Sequence, residues 1–196
     1  MRSFASWRTK MLKRILSIAM VSMLFLCMLA LGCCEGTAQI KIQFDYQHMH
    51  TIASNQFAVW VEDAEGNLVK TLYVTGFTGS RRGYRNRDMS LPKWVGVANP
   101  EEMSDEEIDG ISGATPSQGT LAYTWALTTD RGETVMDGVY HVYVEGALFW
   151  ESEVLFSAGI DLSQLAPGGL EVSVDRNNPE QSDNEDMLTN VEIEIL

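Results

Sequence analysis

Beyond residue 38 the hydrophobic and polar positions alternate with a period of two far more often than with a helical period. Ile40-Lys41-Ile42-Gln43-Phe44 and Val139-Tyr140-His141-Val142-Tyr143-Val144-Glu145 each send every second side chain to the same face, the pattern of a half-buried strand. Phe57-Ala58-Val59-Trp60-Val61 is instead a nearly continuous apolar run. It leads through Glu62-Asp63-Ala64-Glu65-Gly66-Asn67 into Leu68–Val74, and the polar, glycine-containing step between two β-branched segments predicts a hairpin. Leu121–Thr129 meets its successor through Asp130-Arg131-Gly132-Glu133, and Asp137-Gly138 opens the strand carrying Tyr140 and Tyr143. Further strands are predicted over Glu153–Ser157, Leu170–Val174 and Val191–Ile195. The one helical candidate, Pro100–Ile108, is short and acidic, and Asp175–Asn190 reads as a solvated acidic insertion without periodicity. Seven to eight short strands with turn signals between them predict an all-β fold, an immunoglobulin-like antiparallel β-sandwich with one long loop, 76–118, containing a short helix.

The amino-terminal 38 residues belong to a different class. Lys10, Lys13 and Arg14 precede an almost uninterrupted apolar run from Ile15 to Leu31, followed by Gly32, Cys33 and Cys34, which predicts an export signal ahead of a single domain at 39–196. Two processing sites compete. Gly36-Thr37-Ala38 offers small residues before Gln39, while Ala30-Leu31-Gly32-Cys33 resembles a lipoprotein box that would place a lipid on Cys33. These residues hold five of the 14 Lys and Arg, one of the 27 Asp and Glu, and all three cysteines. The exported domain is therefore acidic and thiol-free, which excludes disulfides, thiolate nucleophiles and cysteine-ligated metals. Its charge argues against a nucleic-acid partner, which needs a basic surface.

Several segments carry a resemblance: Phe57–Asp63, Gly66 with Val69-Lys70-Thr71-Leu72, Leu91-Pro92-Lys93-Trp94, Asp109–Pro116, and Gly138-Val139-Tyr140 with Glu145. Together they resemble a bacterial family of predicted periplasmic proteins of unknown function, domain of unknown function 2271, over nearly the whole exported chain. The hairpins are also similar to the immunoglobulin-like domain of flagellar hook-capping proteins. The family resemblance implies an envelope redox context, because its members accompany membrane redox proteins and flavin-attachment enzymes.

Within it, Asp109-Gly110-Ile111-Ser112-Gly113-Ala114-Thr115 is similar to the acceptor motif of flavin-carrying subunits in sodium-pumping and related quinone reductases, where a transferase links FMN through its phosphate to the last threonine. The resemblance makes Thr115 the acceptor, with Ser112, Gly113 and Ala114 keeping the segment small and Asp109 a recognition residue. A phosphoester there needs an exposed hydroxyl on a pliable backbone, which Gly110 and Gly113 are expected to supply. Pro116 departs from the motif's setting and biases Thr115 toward an extended conformation.

A second candidate is Arg81-Arg82-Gly83-Tyr84-Arg85-Asn86-Arg87. Guanidinium groups suit phosphate or carboxylate, and Tyr84 and Trp94 offer stacking surface. The competing expectation is that this loop neutralises Glu101, Glu102, Asp105, Glu106 and Glu107. His48-Met49-His50 would place two imidazoles on one side of a strand, with distant His141 the other histidine; a surface pair is the simpler reading, and no metal site is assigned. Gly-x-Ser-x-Gly, phosphate-binding glycine loops and His-Glu-x-x-His are all missing from the sequence. Carboxylate pairs such as Glu62-Asp63, or Glu151 with Glu153, are expected to be solvated, and Trp60, Trp94, Trp125 and Trp150 to be core or core-edge residues.

Two functions follow. In the first, the protein is a non-enzymatic accessory of an envelope redox system, carrying FMN covalently on Thr115, with a flavin transferase and a membrane redox protein as partners. In the alternative it is a periplasmic binding module that docks a membrane or envelope partner through Arg81, Arg82, Tyr84, Arg85, Arg87 and Trp94, with no cofactor.

Overall fold

In the computed structural model, which describes residues 38–50, 54–87, 89–148, 152–177 and 187–196, the alternating segments are strands. The signal-like segment, the lipoprotein-like Cys33, Trp150 and Glu151 lie outside the described residues. β1 (Ile40–Tyr46) buries Ile40, Ile42, Phe44 and Tyr46 in strict alternation, and β2 (Gln56–Asp63) and β3 (Leu68–Thr75) form the predicted hairpin. At its tip the Asp63 carboxylate accepts from the backbone N–H groups of Glu65 (3.0 Å) and Asn67 (2.8 Å), and Gly66 takes φ +83°.

The remaining strands are β4 (Ser112–Gly113), β5 (Gly119–Trp125), β6 (Val139–Ala147), β7 (Glu153–Asp161), β8 (Gly168–Gly169), β9 (Ser173–Asn177) and β10 (Leu188–Ile195). They make two sheets, one in the order β5-β1-β10-β8 and one in the order β4-β3-β2-β6-β7-β9. The fold is the expected β-sandwich, with ten strands among the described residues rather than seven or eight, two of them only two residues long. Pairing is antiparallel except that β4 runs parallel to β3. Several predicted boundaries move: the strand expected over Leu121–Thr129 is Gly119–Trp125, and the one expected over Glu153–Ser157 continues to Asp161. The strand expected over Leu170–Val174 forms at Ser173–Asn177, and the Asp130–Glu133 turn closes a small bridge between Thr128 and Thr134, after which the chain crosses from one sheet to the other. The acidic insertion narrows, since Asp175–Asn177 end β9 and Leu188–Asn190 begin β10.

The sandwich core lies between the sheets. Ile40, Ile42 and Phe44 meet Phe57, Val59, Val61, Val142 and Val144 there. Full burial of such side chains stabilises by roughly 1.5–3 kcal/mol each, an upper estimate for an extended unfolded chain. A second, smaller core covers the other face of the six-stranded sheet. Ala58 and Trp60, the in-between residues of β2, pack with Leu91, Trp94 and Ala98. This explains why the Phe57–Val61 run is continuous: the strand is covered on both faces.

The cover is the long loop. It holds two helices rather than one, α1 (Pro92–Ala98) and α2 (Asp105–Ile111), besides a single 3₁₀ turn at Gly83–Arg85. The helix predicted over Pro100–Ile108 begins only at Asp105. There Ser104 caps it reciprocally with Glu107: Ser104 Oγ accepts from Glu107 N–H at 3.2 Å, and Glu107 Oε2 accepts from Ser104 N–H at 2.8 Å.

Candidate functional site

The long loop returns to the sheet at β4, where Ser112 and Gly113 pair with Val74 and Thr75. That pairing carries the segment before Thr115 to the end of β3, next to the turn that begins at Gly76. Between the two lies an open cleft of about 590 Å³. Asp109, Ser112, Gly113, Ala114 and Thr115 line one side, and Ser54, Phe77, Ser80 and Arg81 the other. Five of the seven residues of the acceptor-like motif and the first arginine of the basic loop are thus brought to one place. Thr115 and Arg81 are both exposed.

The Gly76–Arg81 turn is anchored by a buried polar network. Gln56 Oε1 accepts from Thr75 Oγ1 (2.6 Å), Thr78 N–H (3.1 Å) and Thr78 Oγ1 (2.9 Å), and the Thr78 and Ser90 hydroxyls are hydrogen-bonded to each other at 2.5 Å. All four residues are fully buried, so these bonds are costly to leave unmade and they hold the Gly76–Arg81 turn rigidly. Gly83 closes the turn because a Cβ there would strike the carbonyl and ring of Phe77.

The acceptor-like segment is less pliable than its glycines suggest. Gly113 donates no freedom: it is in a strand, its carbonyl accepts from Gly76 N–H at 2.5 Å, and a Cβ on it would lie 2.8 Å from Tyr73 Cε2. Its role is close approach, not flexibility. Gly110 sits in α2 with open space around it. Beyond Gly113, residues 114–117 are irregular, and Ala114 and Thr115 are exposed.

The rest of the basic loop turns inward. Arg82 pairs with Asp105 and Arg85 with Glu101, both at 2.8 Å, so the expected neutralisation of the acidic segment is what the loop does. Arg87 donates to the carbonyls of Ser54 (3.2 Å) and Ala147 (3.5 Å) and lies 5.8 Å from the centroid of the Phe77 ring. Tyr84 is half-buried beside Arg85. Trp94 is fully buried and its indole donates to Thr71 Oγ1 at 3.2 Å, which removes it from any stacking surface and confirms it as a core residue with Trp60 and Trp125. Among the described residues Arg81 makes no ion pair. The Arg82→Ala Arg85→Ala variant is expected to lose no more than about 1 kcal/mol per exposed pair, measured by urea unfolding; a loss of several kcal/mol would give the pairs a structural weight that exposed ion pairs lack.

His48 and His50 lie just past β1, exposed, with ring centroids 5.1 Å apart, and His141 sits on β6 beside Tyr143. Among the described residues no three His, Cys, Asp or Glu side chains cluster closely enough to hold a metal ion. Of the carboxylate pairs, Glu62 accepts from the Trp60 indole at 2.7 Å, and Asp63 organises the hairpin turn. Glu153 is buried rather than solvated.

Two residues that carry much of this arrangement were not singled out as functional in the sequence. Tyr73 donates its phenol to the Ala114 carbonyl at 2.7 Å. Glu145 is fully buried, its two carboxylate oxygens accepting from the N–H groups of Lys93 (3.0 Å) and Trp94 (2.9 Å) at the start of α1. Burial pushes the Glu145 carboxyl up to about 8, against the pull of those two donors, and the neighbouring Glu153 is also held high by burial. The one sequence signal for Glu145 is a charge at a position of β6 where both sheet faces are covered.

The family model described as "Predicted periplasmic protein (DUF2271)" matches residues 37–175. The chain belongs to this family. Its function is unknown, and the description agrees with the periplasmic location expected from the amino-terminal segment. No curated protein and no solved structure matches the chain, so the likeness to hook-capping domains has no counterpart among them.

Proposed function

We propose that this DUF2271 protein carries FMN covalently on Thr115 and serves as an electron-relay accessory of an envelope redox system. The observation that supports this best is the convergence, in one open cleft, of the acceptor-like segment with Arg81 and Phe77. The cleft's volume falls in the roughly 300–1,000 Å³ range of sites that hold small molecules and cofactors. Its donor set fits such a group: Arg81 suits an anionic phosphate, the Phe77 ring an apolar heterocycle, and the hydroxyls of Ser54, Ser80 and Ser112 its polar edge. Thr115 Oγ1 would form a P–O bond to the flavin phosphate as the pyrophosphate bond of a flavin dinucleotide donor breaks. A nucleoside monophosphate leaves, the hydroxyl proton passes to a base of the transferase, and no electrons change hands. Once bound, the flavin supplies the redox chemistry, and the chain supplies position, exposure and charge.

The docking role of the basic loop draws less support, because Arg82, Arg85 and Arg87 are engaged within the domain and Trp94 is buried.

The test is the intact mass of the mature protein isolated from its own envelope. One FMN less one water, on the peptide holding Thr115, is expected. Thr115→Ala should abolish the flavin fluorescence of the denatured band and leave the melting temperature unchanged, as for most exposed substitutions. Bare polypeptide from cells that flavinylate other proteins would overturn the reading.

A further inference from the structure

We propose that Tyr73 is the positioning residue for Thr115, a clamp that presents the hydroxyl from a fixed backbone to the enzyme that modifies it; this rests on reading Thr115 as an acceptor. The phenol's hydrogen bond lands on the Ala114 carbonyl, in the peptide unit that joins Ala114 to Thr115. The donor is itself held from inside the sandwich. Its ring stacks on Phe57 (centroids 5.1 Å, 28°) and lies 5.3 Å from Tyr123, and burial pushes its phenol up, so it stays a neutral donor.

The clamp completes a series. Ser112 is held by its ladder with Val74, Gly113 by Gly76 N–H and by close contact with the Tyr73 ring, and Ala114 by the phenol. On the other side Pro116 has a locked φ and biases Thr115 toward an extended backbone. Thr115 is therefore an exposed side chain between two restrained neighbours, and the Tyr73 hydroxyl is the restraint that can be removed without disturbing the packing. Gly113 is part of the same device, because only a residue without Cβ lets the segment lie on the ring. Orientation of a reacting hydroxyl lowers the cost of bringing it to a phosphoryl group, so loosening this clamp should slow attachment and not prevent it.

The experiment uses the full exported domain, a flavin transferase and a flavin dinucleotide donor, with mass spectrometry of the Thr115 peptide over time. Tyr73→Phe keeps the ring and is expected to slow FMN attachment about fivefold, the factor that one tethering hydrogen bond supplies. Gly113→Ala should slow it as well, from the other side of the contact. In protein without flavin, hydrogen exchange across 112–117 should be faster in Tyr73→Phe, with the melting temperature lowered by no more than about 4 °C. Wild-type attachment with equal rates and equal exchange in Tyr73→Phe would overturn the clamp and leave the flavin reading intact. No attachment to wild type would instead remove the flavin reading and this inference together.

Discussion

Glu145→Ala is expected to destabilise the domain by about 3 kcal/mol, which for a domain of this size lowers the melting temperature by about 10 °C. The variant leaves the N–H groups of Lys93 and Trp94 buried without acceptors and opens a void under α1. Glu145→Gln separates packing from charge. In the folded protein the Glu145 carboxyl is raised from an ordinary 4.5 to about 8, so the folded state binds more protons than the unfolded state between those values. The stability that this provides is fully present below pH 4.5 and is lost as pH rises toward 8 and beyond. Glu153, also raised by burial, acts in the same direction; Lys93 faces both groups, and Asp175 bears on Glu153. Urea unfolding from pH 5 to pH 9 should therefore show wild-type stability falling with pH and a distinctly flatter profile for Glu145→Gln. Identical slopes would mean that Glu145 is ionised throughout and that the two helix amides outweigh its burial.

Trp94→Ala should be costlier still, about 3–5 kcal/mol, the range for removing a buried tryptophan. Trp94 is fully buried, its indole is bonded to Thr71, and with Leu91 and Ala98 it forms the loop's contribution to the second core. The sandwich core proper makes no use of it, so the expected consequence is a domain that remains β-rich by circular dichroism while the loop's tryptophan contact is lost. A change below 1 kcal/mol would show that α1 sits on the sheet without depending on its tryptophan. Helix α1 has only seven residues and no side-chain cap, and so cannot persist without this packing and the Glu145 anchor.

The helix also shows where reading the sequence fell short. α1 is too short to display a helical period, its N-cap is Leu91 in the left-handed conformation, and tertiary contacts alone make it a helix. α2 was more legible, since Ser104 and Glu107 spell a capping box, yet the expected start at Pro100 lay five residues early because the acidic run masks the boundary. Tyr73 looked like one more strand aromatic. Its bond to Ala114 depends on what lies across the edge of β3, and strand alternation carries no information about that.

Alternation along β1 and β6, the unbroken apolar run of β2 and the Glu62–Asn67 turn point to a sandwich, because a period of two leaves an apolar face to bury and the sequence offers no long amphipathic helix to cover it. The acceptor-like spelling of residues 109–115 is equally local. What only the tertiary structure decided is which residues share the cleft. The short parallel pairing of Ser112 and Gly113 with Val74 and Thr75 brings Thr115 beside Arg81, 34 residues earlier, while Arg82 and Arg85 are drawn to Asp105 and Glu101. The reason is physical: two paired residues at a sheet edge, a glycine against a tyrosine ring and a buried glutamate under a seven-residue helix are long-range contacts, and their energies are set by geometry that no local pattern encodes.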